Sequence, residues 1–159
     1  MKHKKSEKTN VMRILEQHKI PYESHDYTDS GAVSGMEVVQ ALGQEPERMF
    51  KTLVTRGASG AYYVFMVPVN GALNLKKAAK AVGEKSVAMI KSRELLPLTG
   101  YIHGGCSPIG MKKPFATTIH HTAQAYPTIM FSGGRIGCQI ETSLENLRRV
   151  IPVKCADIL

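Results

Sequence analysis

Apolar residues recur along this chain at two spacings, and the alternation between them predicts a mixed order of helices and strands. Val11, Ile14 and Leu15 share one helical face, so the spacing predicts a helix over 9–18, which Pro21 separates from an extended segment over 22–27. Ser34-Gly35-Met36-Glu37 has the form of a capping box and predicts a helix over 35–42, closed by Gly43. Strand-like runs over 49–55 and 61–67 flank a turn at 57–60 and read as a hairpin. Asn74 caps a predicted helix over 75–82 with Gly83 beyond it, 87–90 is a short apolar strand, and Ser92 opens a brief helix ending before Pro97. The last third predicts strands near Tyr101 and over 116–120, 128–131 and 136–140, with glycine turns between them. A helix over 144–150 capped by Ser143 and a strand over 153–156 close the chain.

Helices interspersed with hairpin-like pairs predict an α/β fold with a mixed, mostly antiparallel sheet, not the regular alternation of a doubly wound one. With 159 residues, the simplest organisation is one domain over 1–159 that buries its own core, preceded by a mobile basic tail over 1–8. No apolar run reaches the ~18 residues of a membrane span, and the polar start, Met1-Lys2-His3-Lys4-Lys5, lacks the apolar core of a signal peptide, so a cytoplasmic protein without membrane contact is expected. Three cysteines, Cys106, Cys138 and Cys155, are an odd and scattered set, which fits reduced thiols better than a disulfide framework.

A net charge of +8 changes the picture, because it attracts extended anions and makes nucleic acid the natural partner class. Lys76, Lys77 and Lys80 cluster on one predicted helix, and Lys112 and Lys113 follow a glycine turn. Both groups are candidates for phosphate contacts that position a substrate without reading its sequence.

That glycine turn, Gly104-Gly105-Cys106-Ser107-Pro108-Ile109-Gly110, and a second one, Ser132-Gly133-Gly134-Arg135-Ile136-Gly137, are the stretches richest in candidate chemistry. Backbone N–H groups in such turns can approach a ligand closely and suit an ester or carboxyl oxygen, with the two turns walling one pocket; ordinary chain reversal is the competing role. Lys51 sits inside the predicted strand Phe50-Lys51-Thr52-Leu53-Val54, whose alternation puts Lys51 and Leu53 on one face and Phe50, Thr52 and Val54 on the other. Such a lysine either guards a strand edge or aims its charge into a cavity to anchor a polarised oxygen.

Phe50-Lys51-Thr52, Leu73-Asn74-Leu75-Lys76-Lys77-Ala78-Ala79, the run from Gly104 to Gly110 and Ser132-Gly133-Gly134 occur in the order and spacing of the YbaK proteins, which this chain resembles from about Ile14 to its C-terminus. Those proteins are free-standing Cys-tRNA(Pro) deacylases related to the editing domain inserted in bacterial prolyl-tRNA synthetases. The resemblance implies a curved, barrel-like sheet with helices around it. It also implies Lys51 as the essential lysine and Gly104 as the glycine whose backbone meets the aminoacyl ester. Tyr27, Thr52, Gly105, Ser107, Ser132, Gly133 and Gly134 are then the residues surrounding the substrate. Where some relatives carry an aspartate, this chain has the neutral Gln139, which puts any role of a negative charge there in doubt.

Other chemistries fit less well. Cys106 with His103 three residues before it has the ingredients of a thiol nucleophile, but the family fills that slot with an apolar residue, so a packing role is expected. His103, Cys106, His120, His121 and Cys138 supply zinc-ligand types without the two tight pairs of a small zinc site, and His120 and His121, adjacent on a strand, point to opposite faces. No metal and no cofactor is expected. The glycine turns also lack paired carboxylates, in keeping with a family mechanism that uses the substrate's own thiol and ribose hydroxyl.

The expected function is a trans-acting deacylase of Cys-tRNA(Pro), with Cys-tRNA(Cys) as a second candidate substrate and prolyl-tRNA synthetase as a candidate partner. An Ala-tRNA(Pro) editing hydrolase and an inactive tRNA- or partner-binding module are the alternatives.

Overall fold

Helix α1 (Asn10–Gln17) starts on Thr9, whose hydroxyl accepts the Met12 N–H at 3.2 Å, and buries Val11, Met12 and Leu15 on the face that the spacing predicts. The computed structural model describes residues 7–159; Lys2, Lys4 and Lys5, and with them most of the tail expected to be mobile, lie outside the described residues. Helix α2 (Gly35–Leu42) carries the full capping box: Ser34 accepts from Glu37 N–H at 3.2 Å while the Glu37 carboxylate takes the Ser34 N–H at 3.0 Å. Helix α3 (Leu75–Val82) is capped by Asn74, and α5 (Leu144–Arg148) by Ser143. Helix α4 (Ser92–Thr99) departs from expectation by running through Pro97. Proline costs the helix one N–H, the one that would have met the carbonyl four residues back, and that residue, Arg93, is exposed, so the loss falls on the solvent side of the helix.

Among the described residues, eight strands form two sheets. β1 (Glu23–Asp26), β7 (Cys138–Thr142) and β6 (Ile129–Ser132) make an antiparallel three-stranded sheet in that order. The larger sheet runs β4 (Val87–Met89), β2 (Phe50–Gly57), β3 (Tyr62–Pro68), β5 (Ala116–His120), β8 (Val153–Ala156), antiparallel across its first three strands and parallel across the rest. Four of the six strand pairings among the described residues are therefore antiparallel, as expected. The barrel-like sheet is not found. A barrel needs an unbroken ladder, whereas the two sheets are joined by one isolated bridge, Met49 to Met130. Phe50, Val54, Phe131 and Ile140 pack in the main core, with Val11 and Leu15 of α1 in the same cluster.

The strand expected near Tyr101 is also absent. Residues 101–115 form an irregular loop held by side chains: Tyr101 N–H donates to Thr99 Oγ1 at 3.0 Å, and the buried Tyr101 hydroxyl donates to the Ile109 carbonyl. Positive φ at Gly104 (+89°) and Gly110 (+80°) turns the chain out of extended geometry.

At the far end of the large sheet, the C-terminal residues are tied to α3. Lys77 donates to Asp157 at 3.0 Å and to the Leu159 carbonyl oxygen at 2.7 Å, while Ile158 N–H donates to Nδ1 of the buried His120. Burial lowers the pKa of His120, which suits a neutral, accepting ring. His121 leaves the strand into a short 3-10 turn, which makes its ring exposed while that of His120 is packed; the two ring centroids lie 4.5 Å apart, so the rings do not point to opposite faces as strand alternation predicts.

Candidate functional site

The first four residues of β2 line a pocket of about 170 Å³, small beside the roughly 300–1,000 Å³ of a site for a drug-sized ligand. The hydrogen-bond ladder explains why this edge is open. Gly57 N–H donates to Ala61 O within the hairpin at 2.7 Å, so Thr55, Leu53 and Lys51 turn their backbone groups toward β3, and Thr52 turns its N–H and C=O the other way. On that side β4 has already ended: Ile90 N–H to Val54 O, at 3.3 Å, is its last link to β2. Thr52 thus presents main-chain groups at an uncovered edge, and its buried hydroxyl has no partner among the described residues. Phe50 and Val54 face the main core while Leu53 packs on the α3 side, as the alternation predicts.

The small sheet supplies the facing wall. Ser132 and Gln139 are register partners on β6 and β7, and both are more than nine-tenths buried. Ser132 Oγ accepts the Gly134 N–H at 3.1 Å, a bond that leaves the hydroxyl hydrogen available. Gln139 Oε1, more than nine-tenths buried, has no partner among the described residues. Leaving such groups dry costs about 1–3 kcal/mol each, so Thr52 and Gln139 mark the pocket as built for a polar ligand. Just behind it, burial pushes the Glu141 carboxyl up, but bonds from Thr128 (2.6 Å), His25 (2.8 Å) and Arg48 (3.2 Å) outweigh burial and hold it below the usual carboxylate range.

The glycine turns meet at the mouth. A Cβ on Gly105 would lie 3.0 Å from Arg135 Cα and 3.1 Å from Ile136 N, so only glycine lets the first turn rest on the backbone of the second. Gly104 lies between Val33 and Ile136, each 3.2 Å from where its Cβ would be, and lines the pocket with His103 and Cys106. Of the second turn only Ser132 lines the pocket, and its Arg135 and Ile136 back the first turn, so the two turns do not wall the pocket as the equal pair that the sequence suggested.

Of the expected site residues, Lys51, Thr52, Tyr27, Gly104 and Ser132 share this pocket. Gly105, Ser107, Gly133 and Gly134 do not line it, and they support it from behind. Ser107 is fully buried and its hydroxyl accepts Ile109 N–H at 3.3 Å, a turn role. Gly133 sits against the Cys138 side chain, and Gly134 packs against Val11 and Tyr101. Lys76, Lys77, Lys80, Lys112 and Lys113 also lie outside the lining, and Lys77 is committed to the C-terminal residues. Sequence reasoning missed the contribution of α2, whose N-terminal residues Ser34 and Gly35 reach the pocket. The signal was Gly35 itself, where a Cβ would come within 2.7 Å of Val69.

No side chain in the lining is a ready nucleophile. Burial pushes the Cys106 thiol up to about 12, so it stays protonated near neutrality and fills space, as expected. His120, His121 and Asp157 gather three potential metal-binding atoms away from the pocket. Two of those groups already hold the C-terminal residues through Ile158 N–H and Lys77.

Residues 30–150 match the family of aminoacyl-tRNA editing domains. The chain is 45% identical over 158 residues to EbsC of Enterococcus faecalis, a protein named as a candidate Cys-tRNA(Pro)/Cys-tRNA(Cys) deacylase, covering 99% of this chain and 96% of that one. A 75-residue stretch, 47% of this chain, is 35% identical to 13% of a proline–tRNA ligase from Thermosipho melanesiensis. Among solved structures, a candidate trans-editing enzyme for prolyl tRNA synthetase superposes with a TM-score of 0.82 at 25% identity, over 96% of this chain and 98% of that one. The hypothetical protein APE2540 shares the fold with a TM-score of 0.86 at 20% identity, over 94% and 99% of the two chains. No described helix is long and apolar enough to cross a membrane.

Proposed function

This chain belongs to the aminoacyl-tRNA editing domain family, and we propose that it is a trans-acting deacylase that removes cysteine from tRNA(Pro), with Cys-tRNA(Cys) as a second substrate. The observation that carries this reading is a small pocket holding Lys51, the Thr52 edge and the Gly104 turn, with neither a carboxylate nor an ionised thiol in its lining. Lys51, the Thr52 N–H and the Gly104 backbone orient an ester carbonyl and stabilise the negative charge that develops on its oxygen. Proton transfer and nucleophilic attack then fall to the substrate. The cysteinyl thiol attacks its own carbonyl carbon, forming a C–S bond; the C–O bond to the terminal ribose breaks, and the thiol proton ends on the ribose oxygen. The product is a cyclic thiolactone, which makes the first step that of a lyase.

Cysteine and proline are close in size, and a pocket separates such near-isosteres by only ~1–3 kcal/mol, so a synthetase that admits both needs a later check. Chemistry that demands a thiol supplies one. The experiment is a comparison of tRNA(Pro) charged with cysteine, alanine or serine. Deacylation of the cysteinyl substrate at least 100-fold faster than the others is expected, whereas preference for alanine would assign the protein to Ala-tRNA(Pro) editing. The likenesses to a proline–tRNA ligase and to a candidate trans-editing enzyme support a setting beside prolyl-tRNA synthetase.

The tRNA backbone is held, in this reading, by Lys76 and Lys80 on α3 and by Lys112 and Lys113 beyond the Gly104 turn; Lys77, already paired with Asp157, contributes less. Reversing the charge of Lys112 and Lys113 together should weaken tRNA binding and reduce the slope of log affinity against log salt by about 1–2, leaving the order of cysteine over alanine and serine unchanged. Titrations of tRNA at several salt concentrations measure this, and an unchanged slope would remove these lysines from the interface.

A further inference from the structure

The deacylase reading leaves open which form of the aminoacyl group the pocket receives, and the lining bears on that directly. An aminoacyl ester carries an α-amino group that titrates below the roughly 7.7–8.0 of a peptide α-amino group, because the ester withdraws electrons more strongly than an amide, so both charged and neutral forms are available around neutrality. Every residue facing the cavity that can carry charge is neutral or cationic. Lys51 comes from β2, His103 and Cys106 from the loop after α4, and Tyr27 from the end of β1; no Asp or Glu is in the lining.

The nearest carboxylates are engaged elsewhere. Glu141, two residues beyond Gln139 on the same strand face, is bonded by Arg48, Thr128 and His25. Glu37 of α2 takes the Val33 and Ser34 N–H groups, and Asp26 lies 3.9 Å from Arg135. An ammonium entering the cavity would share it with the Lys51 cation and find no counter-charge. What it would find is Gln139, an amide that both donates and accepts, more than nine-tenths buried, with one end unpaired.

Resting on the deacylase reading, we infer that the pocket takes the cysteinyl ester with its α-amino group uncharged, and that Gln139 is the specificity-determining residue that hydrogen-bonds this neutral amine. The amide oxygen accepts an amine N–H. A neutral reader in a cationic cavity excludes the protonated substrate and keeps Lys51 for the ester oxygen.

The test uses full-length protein and two substrates, tRNA(Pro) charged with cysteine and tRNA(Pro) charged with 3-mercaptopropionate, which keeps the thiol and lacks the amine. Both substrates carry the thiol, so the ratio of their kcat/KM values reports the amine together with its effect on the neighbouring thiol. For the natural protein this ratio should rise at least tenfold between about pH 5.5 and about pH 8.5. In Gln139→Asp the new carboxylate should hold the ammonium form, so that the ratio is flat or falls over the same range, while continued cleavage of the 3-mercaptopropionyl substrate shows that the variant is folded and competent. Gln139→Met should lower the ratio at high pH about tenfold without losing that second substrate. A flat or falling ratio in the natural protein, or a Gln139→Asp profile identical to it, would overturn the inference. Cleavage of neither substrate by the natural protein would overturn the deacylase reading and this inference with it.

Discussion

Lys51→Ala is expected to lower kcat for Cys-tRNA(Pro) by about 10²–10³, the loss seen when one donor to a developing oxyanion is removed, corresponding to ~2.7–4 kcal/mol of transition-state stabilisation. Among the described residues no other lysine or arginine lines the pocket, so none of them supplies a neighbouring permanent cation in its place. The fold should survive, because no described side chain depends on this ammonium: its strand position pairs with Val67 through the backbone, and no salt bridge holds it. Lys51→Arg should restore little, since a planar fork of five donors needs a wider site than a single ammonium. Single-turnover deacylation beside a thermal melt measures both halves of this expectation. A well-folded Lys51→Ala protein with near-normal turnover would show that this pocket is not where the ester is cleaved.

Local signals in this chain were strong wherever the backbone itself carried them. The Ser34 capping box, Asn74 with Gly83 and the strand over 116–120 fell where hydroxyl, amide and β-branched residues predict, because caps and alternation act over a few residues. Pro97 was a poorer guide, since a proline whose missing bond falls on the solvent side of the helix need not end it. Tyr101 reads as a strand because it is aromatic and follows a glycine, yet its fate is set by a hydroxyl bond to Ile109 that only the folded loop creates. The separation of the two sheets is a matter of long-range pairing, which periodicity does not encode.

The site was legible in the same uneven way. Lys51, Thr52, Gly104 and Ser132 were brought to one pocket because the motifs that carry them are short and lie at a strand edge or a turn. Gly105, Gly133 and Gly134 share those motifs but serve the packing of one turn on another, a distinction visible only as close approaches to Arg135, Cys138 and Val11. Gln139 stood out in the sequence as a departure from an aspartate, and its consequence follows from burial, an unpaired amide end and a lining without acids.

Blocking the substrate's thiol should be at least as damaging as removing Lys51. A reaction that cleaves the ester with water needs a base to activate that water, and the pocket lining contains no Asp or Glu, while the Cys106 thiol is held protonated by burial. His103 remains as a titratable ring at the mouth, so the test must separate it from the substrate's own chemistry. Alkylating the cysteinyl sulfur of Cys-tRNA(Pro) removes the internal nucleophile, whose advantage over an external one is the effective concentration conferred by attachment. Turnover should fall by at least 10³, while Cys106→Ser should leave turnover of the unmodified substrate within about threefold, because that side chain fills space without reacting. Rapid-quench assays with the product resolved as thiolactone or free cysteine would follow both arms. Fast cleavage of the S-alkylated substrate would move the nucleophile to a water activated by His103, and loss of activity in a folded Cys106→Ser protein would move it to the protein's own thiol.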